Sequence, residues 1–179
     1  MRTTVCATPG TVSSRFSAVA EQMRRLDALG IDYDVTPGVP AFSAAAASLK
    51  RELTVPGVAQ AVVLARGRRR ATPVPEGEDL PSLARAFGKA RSTLVLHLAV
   101  QLIDDVVKDL APEYGLDCPV AVVAYASRDD EVVLRGTLAD IAAQVAEAGI
   151  RRTAIVVVGR ALTADQFRDS HLYSTTRAR

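Results

Sequence analysis

The stretch Val120-Ala121-Val122-Val123-Ala124 is followed, after six intervening residues, by Glu131-Val132-Val133-Leu134-Arg135. The first run is near-continuously apolar, the pattern of a strand buried on both faces. The second reads as another strand. The gap between them is too short for a helix, so they are expected to pair as an antiparallel hairpin. On the N-terminal side, Thr93-Leu94-Val95-Leu96-His97-Leu98 is a strand, followed by a helix with Ile103, Val106, Val107 and Leu110 on one face. On the C-terminal side, Thr137 with Asp140 three residues on reads as the N-cap of a helix reaching about Ala148, and Thr153–Val158 is the last strand. Strands alternating with helices define an α/β protein, and the hairpin makes its sheet mixed.

Further out, residues 17–29 read as an amphipathic helix carrying Val19, Met23, Leu26 and Leu29, with Gly30 at its C-terminal cap. Residues 31–35 alternate as a strand, which Thr36-Pro37-Gly38 breaks. An Ala-rich helix over 42–50, a short apolar strand over 61–65, a charged Pro-rich loop over 67–79 and a helix over 80–90 follow. From Gly159 the tail reads as polar. Pro37-Gly38-Val39 is the candidate domain hinge. It divides the chain into residues 1–36, part of an N-terminal α/β domain; 37–165, a complete C-terminal α/β domain; and 166–179, a tail.

The chain has 179 residues, 49% of them hydrophobic, so a packed core can form. Trp is absent and aromatics are scarce, leaving Ala, Val and Leu to fill it. No apolar run is long enough to span a bilayer, and the start lacks the apolar region of a secretory signal, so the protein is expected to be soluble and cytoplasmic. Cys6 and Cys118 form neither a disulfide framework nor a zinc motif and are read as reduced thiols. No metal site is expected; Asp104-Asp105 reads as a solvated helix face. A net charge of +2 does not call for nucleic acid. The basic residues are clustered, however, at Arg66 with Arg68–Arg70 and again at Arg151 and Arg152.

Several ordered segments carry a resemblance. Pro37-Gly38-Val39, the Ala-rich helix, Glu52-Leu53-Thr54, Gln60-Ala61-Val62-Val63-Leu64-Ala65-Arg66 and Thr72-Pro73-Val74-Pro75-Glu76 occur in the order seen in tetrapyrrole methylases. Thr93–Val100 with Ile103-Asp104, Pro119–Val123, and Arg135–Ile141 agree as well, and Asp169–Ser174 resembles the closing segment of the subgroup acting on precorrin-4 in cobalamin biosynthesis. The match runs from about Ala18 to the C-terminus. It implies a two-domain α/β methyltransferase, usually homodimeric, that takes its methyl group from S-adenosylmethionine bound between the domains.

For the methyl donor the resemblance points to Pro37, Gly38, Leu98, Ala121, Thr153 and Ala154; for Leu98 and Ala121 plain core packing is the competing reading. The implied acceptor is a macrocycle bearing several carboxylates, which arginines bind through paired hydrogen bonds. Arg66 is the candidate acceptor contact, with Thr72, Pro73 and Glu76 on the same loop; a solvated loop is the competing reading. No catalytic residue is named, because methyl transfer to an electron-rich carbon depends on holding donor and acceptor in line and not on a strong nucleophile. His97, in an apolar strand, reads as a core or cleft-lining histidine, and His171 as part of the closing segment. Pro40, Ala41 and Ala65 stand where relatives often carry hydroxyls, which bears on donor affinity.

The family's opening strand, glycine-rich loop and Gly-Asp-Pro motif have no counterpart here; of the motif and its flank only the aromatic survives, as Phe16. Codons for Val5 to Thr11, read in another frame, can spell Leu or Val, Arg, His, Thr, Gly, Asp, close to the family's approach to that motif. Residues 1–15 are therefore expected to be an out-of-frame start on a truncated chain, leaving Val19, Met23 and Leu26 partly exposed. Three functional readings stay open: the methyltransferase, a non-catalytic relative that binds tetrapyrrole or a partner, and a related methylase acting on another substrate such as ribosomal RNA.

Overall fold

A computed structural model describes residues 3–5, 19–35, 37–67, 74–89 and 91–165. Strand β1 (Thr3–Val5) pairs in parallel with β2 (Tyr33–Val35), and between them lies helix α1 (Val19–Ala28). Gly30 ends α1 as the sequence predicts. Its φ of 63° is one an L side chain seldom adopts, and it lets the Ile31 N–H turn back to the Leu26 carbonyl at 3.0 Å. Val19, Met23 and Leu26 are half-buried, and no residue of α1 is fully buried.

The main body is a five-stranded mixed sheet. Helix α2 (Ala41–Leu49) leads into β3 (Val62–Arg66), α3 (Leu80–Phe87), β4 (Thr93–His97), α4 (Ile103–Tyr114), β5 (Pro119–Ala124), β6 (Val132–Thr137), α5 (Ile141–Glu147) and β7 (Ala154–Val158). The spatial order is β3-β4-β7-β5-β6. Strands β3 and β4 are parallel, β7 is antiparallel to both β4 and β5, and β6 is antiparallel to β5. The expected hairpin is therefore β5–β6, with Ala124 opposite Val132.

Every residue of β4, β5 and β7 is buried. One sheet face, with Leu94, Leu96, Val120, Val122 and Val156, packs against Ala84, Val106, Leu110 and Ile141 of α3, α4 and α5. The other, with Val95, Ala121, Val123, Ile155 and Val157, packs against Ala45 and Leu49 of α2. Each Val, Leu or Ile among them contributes about 1.5–3 kcal/mol when withdrawn from water, each Ala less. The short side chains of α2 let it lie close to the sheet.

Three expectations need correction. Thr137 is not a helix N-cap; it ends β6, and its N–H donates to Asp140 Oδ1 at 2.6 Å. The polar pair that looked like a helix start closes the strand-to-helix turn, and the helix begins at Ile141. Helix α3 stops at Phe87, short of the expected 80–90 span; Gly88, still in helical backbone and bonded to the Ala84 carbonyl, caps it, and Ala90 lies outside the described residues. The segment after Gly159 is not wholly polar: Ala161 and Leu162 are buried, and Leu162 joins the α2 side of the core.

Gly67, just beyond β3, is held by its N–H to the His97 carbonyl at 2.7 Å. A Cβ there would lie 2.7 Å from Ala99 Cα and 2.8 Å from the Leu98 carbonyl oxygen, both backbone atoms that cannot swing aside. Gly67→Ala is expected to destabilise the fold by about 1–3 kcal/mol, the usual range for overpacking, read as a lower denaturant midpoint.

Candidate functional site

Strands β3, β4 and β5 all point the same way, since β7 runs antiparallel to both β4 and β5. Their carboxyl ends therefore share one rim with the beginnings of β6 and β7. That rim carries Arg66 and Gly67 after β3, His97 and Leu98 after β4, Ala124 and Tyr125 after β5, Glu131 before β6, and Thr153 and Ala154 at β7. In open α/β sheets the carboxyl ends of strands are where ligands bind.

The rim is built from strained backbone. Leu98, Tyr125 and Thr153 have φ of 58°, 55° and 55°. These values are uncommon for any side-chain-bearing residue, and in Thr, which is β-branched, they mark an outlier. Such conformations cost about 1–3 kcal/mol each and collect at sites where the chain must take a particular shape. The Tyr125 N–H donates to the Thr153 carbonyl at 2.9 Å, joining the β5 and β7 ends. Thr153 is exposed, Leu98 half-buried and Ala154 buried.

Helix α2 packs on one face of the sheet and meets the rim at both of its ends. Near its start, the Phe42 ring stands edge-on to His97, with centroids 6.4 Å apart. Near its end, Ser48 Oγ donates to Glu131 Oε2 at 2.8 Å. The exposed Pro37-Gly38-Val39 segment lies just ahead of α2, at the end of the helix whose Phe42 meets His97.

The rim is basic. Arg66, Arg128, Arg151 and Arg152 are all exposed on it or on its connections. Arg128 pairs with Asp130 at 2.8 Å and lies 5.3 Å from the centre of the Tyr125 ring. Glu76 is exposed in the β3–α3 connection that leaves the same end of the sheet. Thr72 and Pro73 lie outside the described residues, as do Cys6 and His171.

Of the residues expected at a donor site, Leu98, Thr153 and Ala154 come together on the rim. Ala121 does not. It lies three residues back along β5, about 10 Å from the strand end at the usual rise, and is 1% exposed against α2. Its small side chain serves helix–sheet packing. Asp104 and Asp105 are exposed on α4, as expected of a solvated face. Among the described residues no group of three or more His, Cys, Asp or Glu is arranged to hold a metal. Nor is any helix among them long and apolar enough to cross a membrane.

Sequence reasoning passed over Tyr125, Gly67 and Glu131. Tyr125 opens the six-residue gap between the two predicted strands and Glu131 begins the second strand, but non-glycine residues in left-handed backbone leave no mark in composition or periodicity. Cys118 sits at the start of β5, opposite the rim, and burial pushes its thiol up to about 11. Buried in this way it is an inert core residue.

Residues 2–142 match the family model described as Tetrapyrrole (Corrin/Porphyrin) Methylases. The chain belongs to this family. It is 60% identical over 166 residues to a protein of Rhodococcus erythropolis named precorrin-4 C(11)-methyltransferase, covering 93% of this chain and 65% of that one. A Methanocaldococcus jannaschii protein named cobalt-precorrin-4 C(11)-methyltransferase is 46% identical over 161 residues, covering 89% of this chain and 60% of that one. Among solved structures, the cobalamin biosynthetic enzyme CbiF, a cobalt precorrin-4 methyltransferase, superposes with a TM-score of 0.78 at 37% identity, covering 84% of this chain and 62% of that chain. The chain thus spans just under two thirds of the length of these relatives.

Burial lowers the pKa of His97 below its ordinary 6.5. The native state therefore resists a proton that the unfolded chain accepts. As pH falls through about 6.5 the unfolded state gains that proton first, and stability drops until the native pKa is reached. His97→Leu is expected to flatten this part of the stability-versus-pH curve between about pH 7 and 5, measured by denaturant melts across that range.

Proposed function

We propose that this chain carries out S-adenosylmethionine-dependent methylation of precorrin-4 at C11, giving precorrin-5, in cobalamin biosynthesis. The observation that carries the reading is the 60% identity over 166 residues to a protein of that name. The strained rim supports it, because a cleft shaped by backbone suits a ligand with a flat base and a polar chain. On this reading Pro37, Gly38, Leu98, Thr153 and Ala154 hold the donor, and the bound sulfonium supplies an electrophilic methyl group.

The chain's own contribution is placement. The backbone groups at Leu98 and Thr153 fix one reactant, and Arg66, with Glu76 and the Thr72-Pro73 segment, orients the other. The rate gain comes from near-attack geometry and the exclusion of water. Exposed arginine at a strand end fits carboxylates on a macrocycle edge. The metal-free acceptor is preferred over the cobalt form because the relative named for the former is the more similar.

Part of the same proposal is the division at Pro37-Gly38-Val39, with 1–36 belonging to an N-terminal α/β domain, 37–165 forming the C-terminal domain and 166–179 a tail. All five strands of the main sheet lie within 62–158, in keeping with that division. The protein is taken to be cytoplasmic and, as the resemblance implies, homodimeric; sedimentation velocity checks the second point.

Titration calorimetry with S-adenosylhomocysteine tests donor binding, and a methyl-transfer assay on precorrin-4 and cobalt-precorrin-4 tests the acceptor. Saturable binding and turnover are expected. A folded chain that binds no donor would favour the non-catalytic relative. In the assay, Arg66→Ala is expected to raise KM for the acceptor about tenfold, the scale of one charge-assisted hydrogen bond, with an unchanged melting temperature.

A further inference from the structure

Glu131 stands at a junction. Its carboxylate oxygen Oε2 accepts two hydrogen bonds from different parts of the chain. One comes from Ser48 Oγ, in the last turn of α2, at 2.8 Å. The other comes from the Ser127 N–H, inside the β5–β6 loop, at 2.7 Å. Ser127 is itself in left-handed backbone, with φ of 67°, two residues after Tyr125 at 55°. A second tie runs alongside, where the Arg135 guanidinium donates to the Leu49 carbonyl at the end of α2, 2.9 Å away.

The two segments so joined are the ones that shape the rim. The Tyr125–Ser127 loop is bonded to Thr153 through the Tyr125 N–H. Helix α2 carries Pro37-Gly38-Val39 at its leading end. A left-handed loop of non-glycine residues relaxes unless something holds it. Charge-assisted hydrogen bonds to a carboxylate are among the stronger ways to do so.

We propose that Glu131 is a positioning residue for the donor cleft, locking the β5–β6 loop to α2 so that both walls keep one separation. The inference rests on the donor-site reading above. It assigns Glu131 no contact with substrate.

The geometry separates positioning from stability. Without Glu131, the Ser48 hydroxyl can turn to the Ala44 carbonyl, which already lies 3.1 Å from it. Ser127 is exposed, so water can satisfy its N–H. Neither donor is left buried and unsatisfied, and the fold should lose little. The rim should lose its shape.

The test uses the full 179-residue chain. Glu131→Ala is expected to raise the dissociation constant for S-adenosylhomocysteine about tenfold at a near-constant melting temperature, on the scale of one charge-assisted hydrogen bond. Glu131→Gln keeps an acceptor oxygen and should stay close to wild type. Ser48→Ala cuts only the α2 arm and should fall between the two. An unchanged affinity in Glu131→Ala, with the wild type binding, overturns the inference. Lack of binding by the wild type overturns the donor-site reading instead, and hydrogen exchange then decides the tie without a ligand. Glu131→Ala should speed exchange both at Ser127 and in the last turn of α2. Faster exchange confined to the loop would overturn the coupling.

Discussion

The structure depends on the burial of β7 between β4 and β5. It is hydrogen-bonded on both sides, with Val156 opposite Leu96 on one flank and Val122 on the other. Both its faces are covered, by α2 on one side and by the α3–α4–α5 layer on the other. A strand in that position has no exposed edge and almost no freedom of register, because a slip of one residue would exchange its two buried faces. Its antiparallel course has a second effect: it places Thr153, ahead of the strand, beside Leu98 and Tyr125, which lie beyond the ends of their own strands.

That coincidence of ends makes the rim. Three polypeptide segments must turn sharply within a small space, and they do so through left-handed residues that are not glycine. The strain is held by neighbouring hydrogen bonds, from Tyr125 to the Thr153 carbonyl and from Ser127 to Glu131. Gly67 is the exception, where contact with the Leu98 and Ala99 backbone leaves no space for a side chain. The site is thus mostly backbone, consistent with chemistry that asks for placement and not for a nucleophile.

The apolar surface is unevenly resolved across the chain. Strands β4, β5 and β7 are fully buried, and in the main body Leu116, and Val132 of edge strand β6, are exposed; toward the N-terminus Leu29 is 71% and Val39 77% exposed, with Ile31 and Val35 exposed beside them. Leu29 and Ile31 lie in the connection between α1 and β2, Val35 ends β2, and Val39 precedes α2. The two halves also differ in pairing: β1 and β2 make a two-stranded sheet, too small for independent stability, whereas the other five strands form one continuous sheet.

Much was legible in the residues alone. Continuous apolar runs identified β4, β5 and β7, and the short gap after Ala124 required the hairpin, because burial and chain length are local properties. The ordered segments from Pro37 to Ile141, with Asp169–Ser174, carried the resemblance to the family. Tertiary structure decided what those local signals could not contain. Ala121 looked like a ligand contact because it lies in a family-like strand, but strand position put it under α2, away from the rim. Thr137 and Asp140 looked like a helix start because the same hydrogen-bonding residues also close a strand-to-helix turn. Tyr125, Ser127 and Glu131 joined the candidate rim only when α2 and the hairpin met. The physical reason is common to all three cases: sequence determines which residues seek burial and which turns are possible, while the long-range packing of strands and helices determines which of their ends converge.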